Sequence, residues 1–288
     1  MTGDLIPNAL FVIGFARSGT TVLQNALNSH PDIFLFGEPQ FHRDTGTQDF
    51  RARYNAMHRA WKNNETKSTF CPAFFAEDAD WPAYLRRVAA EHRYAGAKIV
   101  VNPSDGPAGI AQLFDFQCRH FYRARTLFSF RNPRDVLASI AGLADMEGAA
   151  PAPAALILEM FMRTVALYFR MLRTIPFVTA VFHEDGGTEI VAAARRFLGL
   201  DLAEASAYYQ PARARHYSGQ ECPTLALVED FYADFRAAAK AGFTCVQLEQ
   251  NEGHFDPAHR TEFGKFVWRA DRIAERLAEA REKPPPQA

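Results

Sequence analysis

The sequence predicts an α/β fold of three layers, with a mainly parallel central sheet and helices on both faces. The first observation is Ala9–Phe15 (ALFVIGF), a continuous apolar run typical of a strand buried on both faces. The second is Thr20–Asn28, whose apolar residues fall on one helical face. The third is that such strand and helix patterns alternate along the chain, as they do in parallel sheets.

Four further strands are predicted, each short and apolar. They cover residues 33–36, 98–101, 126–130 and 177–182. Helical patterns follow or precede these strands, with starts marked by Asp80 before Trp81-Pro82 and by Pro133. The predicted helices cover 50–62, 80–94, 109–123, 133–143, 155–174, 189–198, 225–239 and 263–280. The pattern contains no internal repeat.

The composition of the chain limits the classes of protein to which it can belong. With 48% hydrophobic and 23% charged residues, the chain suits one globular domain, predicted over 1–282 with a disordered tail at 283–288. A net charge of −1 argues against non-specific binding to nucleic acid. The four scattered cysteines predict neither a disulfide framework nor a zinc site. Because a signal-peptide pattern and an apolar run of about 18 residues are also absent, we expect a cytoplasmic protein without a membrane span.

Residues 14–21, GFARSGTT, join the first strand to the first helix and nearly match the phosphate loop G-x-x-x-x-G-K-[ST]. Gly14, Gly19 and Thr21 stand in the expected places, but Thr20 replaces the lysine and Arg17 is the only cation. Backbone N–H groups of such a loop, together with the helix N-terminus, form an anion site. The alternative is a tight strand–helix turn that binds nothing.

A second candidate site is RNPRDVLAS at residues 131–139, directly after the strand at 126–130. Arg131 is predicted at the carboxyl edge of the sheet, where ligands of open α/β sheets bind, and Ser139 follows on the next helix. The alternative is a surface arginine and a helix serine. Two anion-binding segments at two strand ends together predict a ligand with two separated phosphates.

Three segments together resemble the PAPS-dependent sulfotransferases, in particular their bacterial and carbohydrate-type branch. FVIGFARSGTTVLQNALNSHPDIFLFGEP is similar to the segment that binds the 5′-phosphosulfate of PAPS (3′-phosphoadenosine 5′-phosphosulfate). TLFSFRNPRDVLASI looks like the family's 3′-phosphate segment, and VFHEDGGTEIVAAARRFLGL resembles the strand–helix that follows it. The resemblance covers about residues 9–201 and implies the sulfotransferase variant of the P-loop NTPase-like fold.

The resemblance also implies a reaction and a set of binding residues. PAPS would be the co-substrate and PAP (adenosine 3′,5′-bisphosphate) the product, without a metal, and the acceptor would be a hydroxyl of a small molecule, sugar or lipid. PAPS carries no triphosphate, which fits a loop without the lysine. Residues implied to hold the 5′-phosphosulfate are Arg17, Ser18, Gly19, Thr20 and Thr21. Those implied to hold the 3′-phosphate are Arg131 and Ser139.

Sulfuryl transfer needs cations near the leaving phosphate and a base for the acceptor hydroxyl. Arg17 fills the first role, and Lys98 is a second candidate because many relatives carry a lysine at the edge of this strand. In KIVVNP their K-x-P pattern is broken, so a solvated strand-end lysine is the alternative. For the base we favour Glu38 of GEPQ, with His42 as its rival and a simple turn residue as the alternative.

Acceptor recognition is predicted in an insertion at about 42–95, which is irregular and rich in arginine and aromatic residues. The phenylalanine-rich stretches 34–41 and 70–75 are interpreted as core packing, with an apolar acceptor pocket as the alternative. Near the end of the chain, a basic run could clamp the 3′-phosphate or form a solvated loop. It consists of Arg213, Arg215 and His216.

The pair Glu184-Asp185 is interpreted as structural, and the neighbouring His183 as a loop histidine. Two other functions stay open at this stage. One is a phosphotransferase that needs Mg²⁺, which the missing loop lysine argues against. The other is a protein that binds the nucleotide without catalysing a reaction.

Overall fold

The computed structural model describes residues 4–43, 81–209, 224–241 and 257–282. Its centre is a five-stranded sheet with the order β2-β3-β1-β4-β5, and all neighbouring strands are parallel. The strands are β1 Ala9–Phe15, β2 Ile33–Gly37, β3 Tyr94–Val101, β4 Arg125–Phe130 and β5 Phe177–Phe182. The predicted fold class is therefore confirmed.

Helices connect the strands and cover both faces of the sheet. They are α1 Thr20–Asn28, α2 Trp81–Glu91, α3 Gly106–His120, α4 Pro133–Met146, α5 Ala154–Thr174, α6 Gly186–Leu198, α7 Leu225–Ala241 and α8 Pro257–Glu282. The predicted helix at 50–62 lies outside the described residues. The other predicted helices are confirmed, although α8 begins at Pro257 rather than at 263.

β3 is longer than predicted because it begins at Tyr94 instead of 98. The added residues YAGA are a tyrosine and three small residues, which give no continuous apolar signal. They are nevertheless buried, and the three small residues pair with β1 from Ala9 onward. This extension also changes the interpretation of the predicted insertion at 42–95. Trp81–Glu91 is the crossover helix between β2 and β3, with Tyr84 and Leu85 fully buried. The end of the predicted insertion, from Trp81 onward, is therefore part of the α/β scaffold.

Side chains of each strand alternate between two cores. Phe11 and Phe15 of β1 belong to a large aromatic core on the face covered by α3, α5 and α7, whereas Leu10 and Val12 face α1 and α6. Phe34, Phe36 and Phe41 are buried in the large core, which confirms their interpretation as packing residues. The chain thus forms the three layers expected from its alternating pattern.

Helix α8 packs along α5 and closes the large core from outside. Its buried positions are Ala270, Ile273, Ala274 and Leu277. Arg170 of α5 binds both carboxylate oxygens of Asp271 at 2.9 Å, which fixes the pair at the surface. None of the described helices combines the length with the apolar character that a membrane crossing requires.

Candidate functional site

The loop between β1 and α1 lies at the carboxyl edge of the sheet, where the ends of β3, β4 and β5 also meet. The loop is tied to its neighbours by backbone hydrogen bonds, since Ala16 N–H donates to the Val101 carbonyl at 2.8 Å. On the other side, the Ser129 hydroxyl donates to the Ser18 carbonyl at 2.6 Å. The N–H groups at the start of α1 are therefore held in place by β3 and β4.

Both loop glycines are required by their surroundings. A Cβ on Gly14 would lie 2.6 Å from the Ser129 carbonyl oxygen and 2.6 Å from Cγ2 of Thr20. Gly19 has a φ of 82° and precedes the first residue of α1, and a Cβ there would lie 2.5 Å from Cδ2 of His183. The loop thus packs closely between β4 and the turn that follows β5.

Arg17 and Ser139 bring the two predicted anion-binding segments together. Arg17 Nε donates to the Ser139 hydroxyl at 2.9 Å, and Ser139 is buried on the second turn of α4. Arg131, which stands directly after β4, is only 14% exposed in its side chain, and one of its terminal nitrogens lies 3.5 Å from Asp135. Arg131 is thus largely buried, and Ser139 is in contact with the glycine loop through Arg17.

Two polar atoms at this edge are buried without a hydrogen-bond partner among the described residues. They are the Ser18 hydroxyl oxygen and Nε of Arg131. Buried donors are normally satisfied, and an orphaned one needs an explanation. An anion bound between the loop and the start of α4 would supply the missing acceptor for Arg131.

Lys98 is the best-defined group of the site. Its partner across the ladder is Val12, so its side chain lies on the α1 face of the sheet. The side chain is 1% exposed, and Nζ lies 2.7 Å from Oε1 of Glu38 and 2.8 Å from the Thr21 hydroxyl, to which it donates. The alternative of a solvated strand-end lysine is therefore wrong. Placing a charge here is costly unless it is paired, and Glu38 provides that pairing.

Glu38 follows β2 and adopts an unusual backbone conformation with φ 50°, and Gln40, beyond Pro39, has φ 55°. Arg17, with φ 67°, is the third non-glycine residue of positive φ in the described part of the chain. All three lie at or beside this site. Such conformations cost about 1–3 kcal/mol each and cluster at functional sites.

His42, the rival base, is placed differently. It lies in the 3-10 turn Phe41–Arg43 and is buried, with its ring edge against Phe116 at a centroid distance of 6.2 Å. Its Nε2 accepts a hydrogen bond from Nε of Arg43 at 3.3 Å. The structure therefore groups Glu38 with Lys98 and Thr21, while His42 packs into the aromatic core.

The turn His183–Asp185, after β5, adds residues that the sequence did not assign to the site. His183 lies against Gly19, and its pKa is lowered from the usual value by burial and by the nearby Arg131. Glu184 accepts a hydrogen bond from the backbone N–H of Asn132 and another from the Tyr232 hydroxyl. The available signal was their position after a parallel strand, at the edge where the loops meet.

Some predicted residues and segments cannot be placed. Arg213, Arg215, His216 and the segments 44–80 and 283–288 lie outside the described residues. Among the described residues, no three His, Cys, Asp or Glu side chains are grouped so that they could hold a metal ion.

Comparison with known proteins points to one family. The family model described as "Sulfotransferase family" matches residues 7–175. The chain is similar to the sulfotransferase domain of the Synechococcus PCC 7002 olefin synthase, with 19% identity, 81% of this chain and 97% of that chain covered, and a TM-score of 0.54. At this identity the likeness concerns the fold.

Two further solved structures are similar at lower TM-scores. A sulfotransferase from Alicyclobacillus acidocaldarius shows 19% identity over 88% of this chain and 98% of that chain, with a TM-score of 0.45. Mouse sulfotransferase SULT7A1 complexed with PAP shows 12% identity over 96% and 90%, with a TM-score of 0.38. No curated protein matches the chain significantly.

Proposed function

Because the chain belongs to the sulfotransferase family, we propose that it transfers the sulfuryl group of PAPS to a hydroxyl of a small-molecule, sugar or lipid acceptor. The observation that carries this proposal is the buried Lys98, which joins Glu38 to the Thr21 hydroxyl beside the glycine loop. A base, a cation and an anion-binding loop are thus in direct contact, as the transfer requires.

The donor would bind with its two anionic ends on two segments of the sheet edge. The loop amides, Arg17 and the hydroxyls of Ser18, Thr20 and Thr21 would hold the 5′-phosphosulfate. Arg131 and Ser139 would hold the 3′-phosphate, and the unpartnered Nε of Arg131 supports this assignment. Since Arg17 is hydrogen bonded to Ser139, the two subsites are neighbours that a single nucleotide can span.

The reaction would be an in-line displacement at sulfur, in which positioning and charge stabilisation supply most of the catalysis. Glu38 takes the proton of the acceptor hydroxyl as the acceptor oxygen bonds to sulfur. The bond between sulfur and the bridging oxygen of the 5′-phosphate breaks, and PAP leaves with that oxygen. Lys98 stays close to Glu38 and Thr21, and its charge offsets the negative charge that develops on the leaving phosphate.

Calorimetric titration tests the donor assignment. PAP, ADP and ATP are each titrated with and without Mg²⁺, and we expect micromolar binding of PAP without Mg²⁺ and weak binding of ADP. Arg131→Ala should remove the preference for PAP. Arg134→Ala is the matched control, because Arg134 follows Arg131 closely, in the first turn of α4, but pairs with Glu229 at 2.9 and 2.8 Å. Binding of ATP only with Mg²⁺, without a preference for PAP, would point to a phosphotransferase instead.

The base is tested by replacing Glu38. Glu38→Gln should lower turnover with PAPS by a factor of about 10² or more, because the acceptor proton has no base to receive it. Affinity for PAP should persist in this variant. His42→Gln is the comparison, and a loss confined to that variant would make His42 the base. A wild-type protein that binds PAP yet sulfates none of a broad panel of hydroxyl acceptors would support a non-catalytic nucleotide-binding role.

A further inference from the structure

We propose that Glu184 is a positioning residue that fixes the start of the 3′-phosphate segment and, with its neighbour His183, sets the spacing between the two donor subsites. The proposal rests on the function proposed above and deepens it. Glu184 would act through the backbone of Asn132, without contact to the donor itself. Its role would therefore be geometric, and it can be separated from the role of Arg131.

The first contact is with the segment that carries Arg131 and Ser139. Oε1 of Glu184 accepts the backbone N–H of Asn132, the residue directly after Arg131. Asn132 is also the N-cap of α4, since its side chain accepts the N–H of Arg134 at 2.9 Å. A constraint on Asn132 thus constrains the backbone of Arg131 and the start of the helix that bears Ser139.

The second contact anchors Glu184 itself. Although Glu184 is exposed, its Oε2 accepts the hydroxyl of Tyr232 at 2.9 Å, and Tyr232 is buried on α7. Burial, with Glu184 next in importance, raises the pKa of Tyr232 well above its usual value, so the hydroxyl keeps its proton and remains a donor. The Tyr232 ring packs against Phe161 and Phe182 at 6.0 Å in each case, which fixes the position of the hydroxyl.

The third observation concerns His183 in the same short turn. Its ring lies so close to Gly19 that a Cβ there would be 2.5 Å from Cδ2. One turn of three residues therefore contacts the 5′ loop through His183 and the 3′ segment through Glu184. The distance between the two anionic groups of a nucleotide is set by its covalent structure. A misplacement of about 1 Å between the subsites can cost a factor of about 10² in rate.

Asp185 provides an internal comparison. It lies in the same turn and also joins it to α7, by ion pairs with Arg236 and with Lys240, the latter at 2.7 Å. These pairs attach the turn to α7 without involving Asn132. If Glu184 served only to hold α7 in place, its replacement should affect stability alone, as we expect for Asp185. If Glu184 positions Asn132, its replacement should also change how the donor binds.

The test measures affinity for PAP and for adenosine 5′-monophosphate, which lacks the 3′-phosphate, together with thermal unfolding. Wild-type protein should prefer PAP. Glu184→Ala should lower that preference by about tenfold or more, because a charged hydrogen bond to Asn132 is lost. Glu184→Gln should restore most of it, since its carbonyl can accept from Asn132 while its amide donates to the Tyr232 oxygen. Asp185→Asn should lower the unfolding temperature and leave the preference unchanged.

The outcomes separate this proposal from the proposed function. A wild-type protein without any preference for PAP overturns both. A wild-type preference that Glu184→Ala leaves intact, or that Asp185→Asn reduces equally, overturns the positioning role alone. If Glu184→Ala does not fold, Tyr232→Phe carries the test, because it removes only the anchor. It should lower the preference by only about threefold, because Glu184 keeps its own hydrogen bond to Asn132 and loses only the group that holds it in place.

Discussion

At the scale of single residues, Lys98 decides how the site is interpreted. A strand lysine is usually solvated, because removing an ammonium group from water costs several kcal/mol unless it is paired. Here the sheet and α1 enclose the whole side chain. Its ammonium group forms an ion pair with Glu38 and donates a hydrogen bond to the Thr21 hydroxyl. The cost of burying the Lys98 ammonium offsets much of what this ion pair contributes to stability, and the Glu38 side chain remains 41% exposed. The place of the pair beside the glycine loop therefore supports the catalytic role proposed above.

Replacing Lys98 by an apolar residue of similar length separates the two explanations. In Lys98→Met we expect turnover with PAPS to fall by a factor of about 10² or more, because the charge near the leaving phosphate is lost. The unfolding temperature should stay the same or rise, because methionine fills the space without a desolvation cost and the Glu38 carboxylate, with its side chain 41% exposed, can be solvated by water. Turnover and thermal unfolding are measured on the same preparation. A variant that loses stability but keeps turnover would assign Lys98 a structural role.

His183 predicts a pH dependence of stability. Its pKa in the folded protein lies below the value of about 6.5 expected in the unfolded chain. Between these two values the unfolded chain binds the proton more strongly, so stability is complete above about pH 6.5 and is lost as pH falls through the folded pKa. Arg131 opposes protonation, while Glu184 and Asp135 favour it.

The measurement compares the wild-type protein with His183→Gln. As pH falls from about 7.5 to about 5.5, the unfolding temperature of the wild-type protein should drop further than that of the variant. Other groups titrate equally in both proteins, so the difference between the two curves reports His183. Parallel curves would show that His183 binds its proton equally well in both states.

At the scale of elements, the close approach of β1 to β4 shapes the glycine loop. Gly14 pairs with Ser129 across the ladder, and the Ser129 hydroxyl holds the Ser18 carbonyl. Adding a methyl group at Gly14 would push against the backbone of β4 and against Thr20. The elements must then separate, and the loop would lose its contact with Ser129.

We therefore expect Gly14→Ala to lower the free energy of unfolding by about 1–3 kcal/mol, the usual cost of overpacking. It should also weaken binding of PAP. Gly264→Ala is the control, because Gly264 lies inside α8 with open space where the Cβ would be. Alanine there should stabilise the protein by about 0.5–1 kcal/mol. Both values come from denaturant unfolding, and equal effects in the two variants would contradict the role assigned to Gly14.

Most of the strands and helices were predictable from the sequence, because apolar runs and a glycine loop between strand and helix are local signals. The limits of β1, α1 and β5 were predicted to the residue. The contact of Glu184 with Asn132 was not, since it joins residues 52 positions apart through a backbone group that any residue carries. The positive φ of Arg17 and Glu38 could not be predicted either, because the usual sequence signal for this conformation is a glycine and neither residue is one.

At the scale of the whole molecule, the residues proposed to bind the donor all lie on the described scaffold. These residues lie on the loop after β1, at the start of α1, directly after β4 and on α4, and α2 also belongs to the scaffold. The predicted acceptor insertion is thereby narrowed to 44–80, which lies outside the described residues and remains a proposal.

Exchanging residues 44–80 with those of a relative that uses another acceptor should change the acceptor and leave the affinity for PAP within about threefold, because specificity resides in variable segments. Acceptor choice is measured by a panel of hydroxyl compounds with PAPS, and PAP affinity by calorimetry. Unchanged acceptor choice in a folded chimera would remove the segment from the proposal.

The sheet order also limits how this chain can be divided. The matched family region ends at residue 175, just before β5, and a cut there would turn β4 into an outer strand. Of the two natural outer strands, β2 is partly shielded, because Asn28 bonds both the N–H and the carbonyl of Leu35. β4 would have no such cover and would offer an apolar edge to other chains, a known cause of aggregation. The smallest unit suited to transplantation into another protein therefore extends beyond the recognisable region, through β5 and the turn after it.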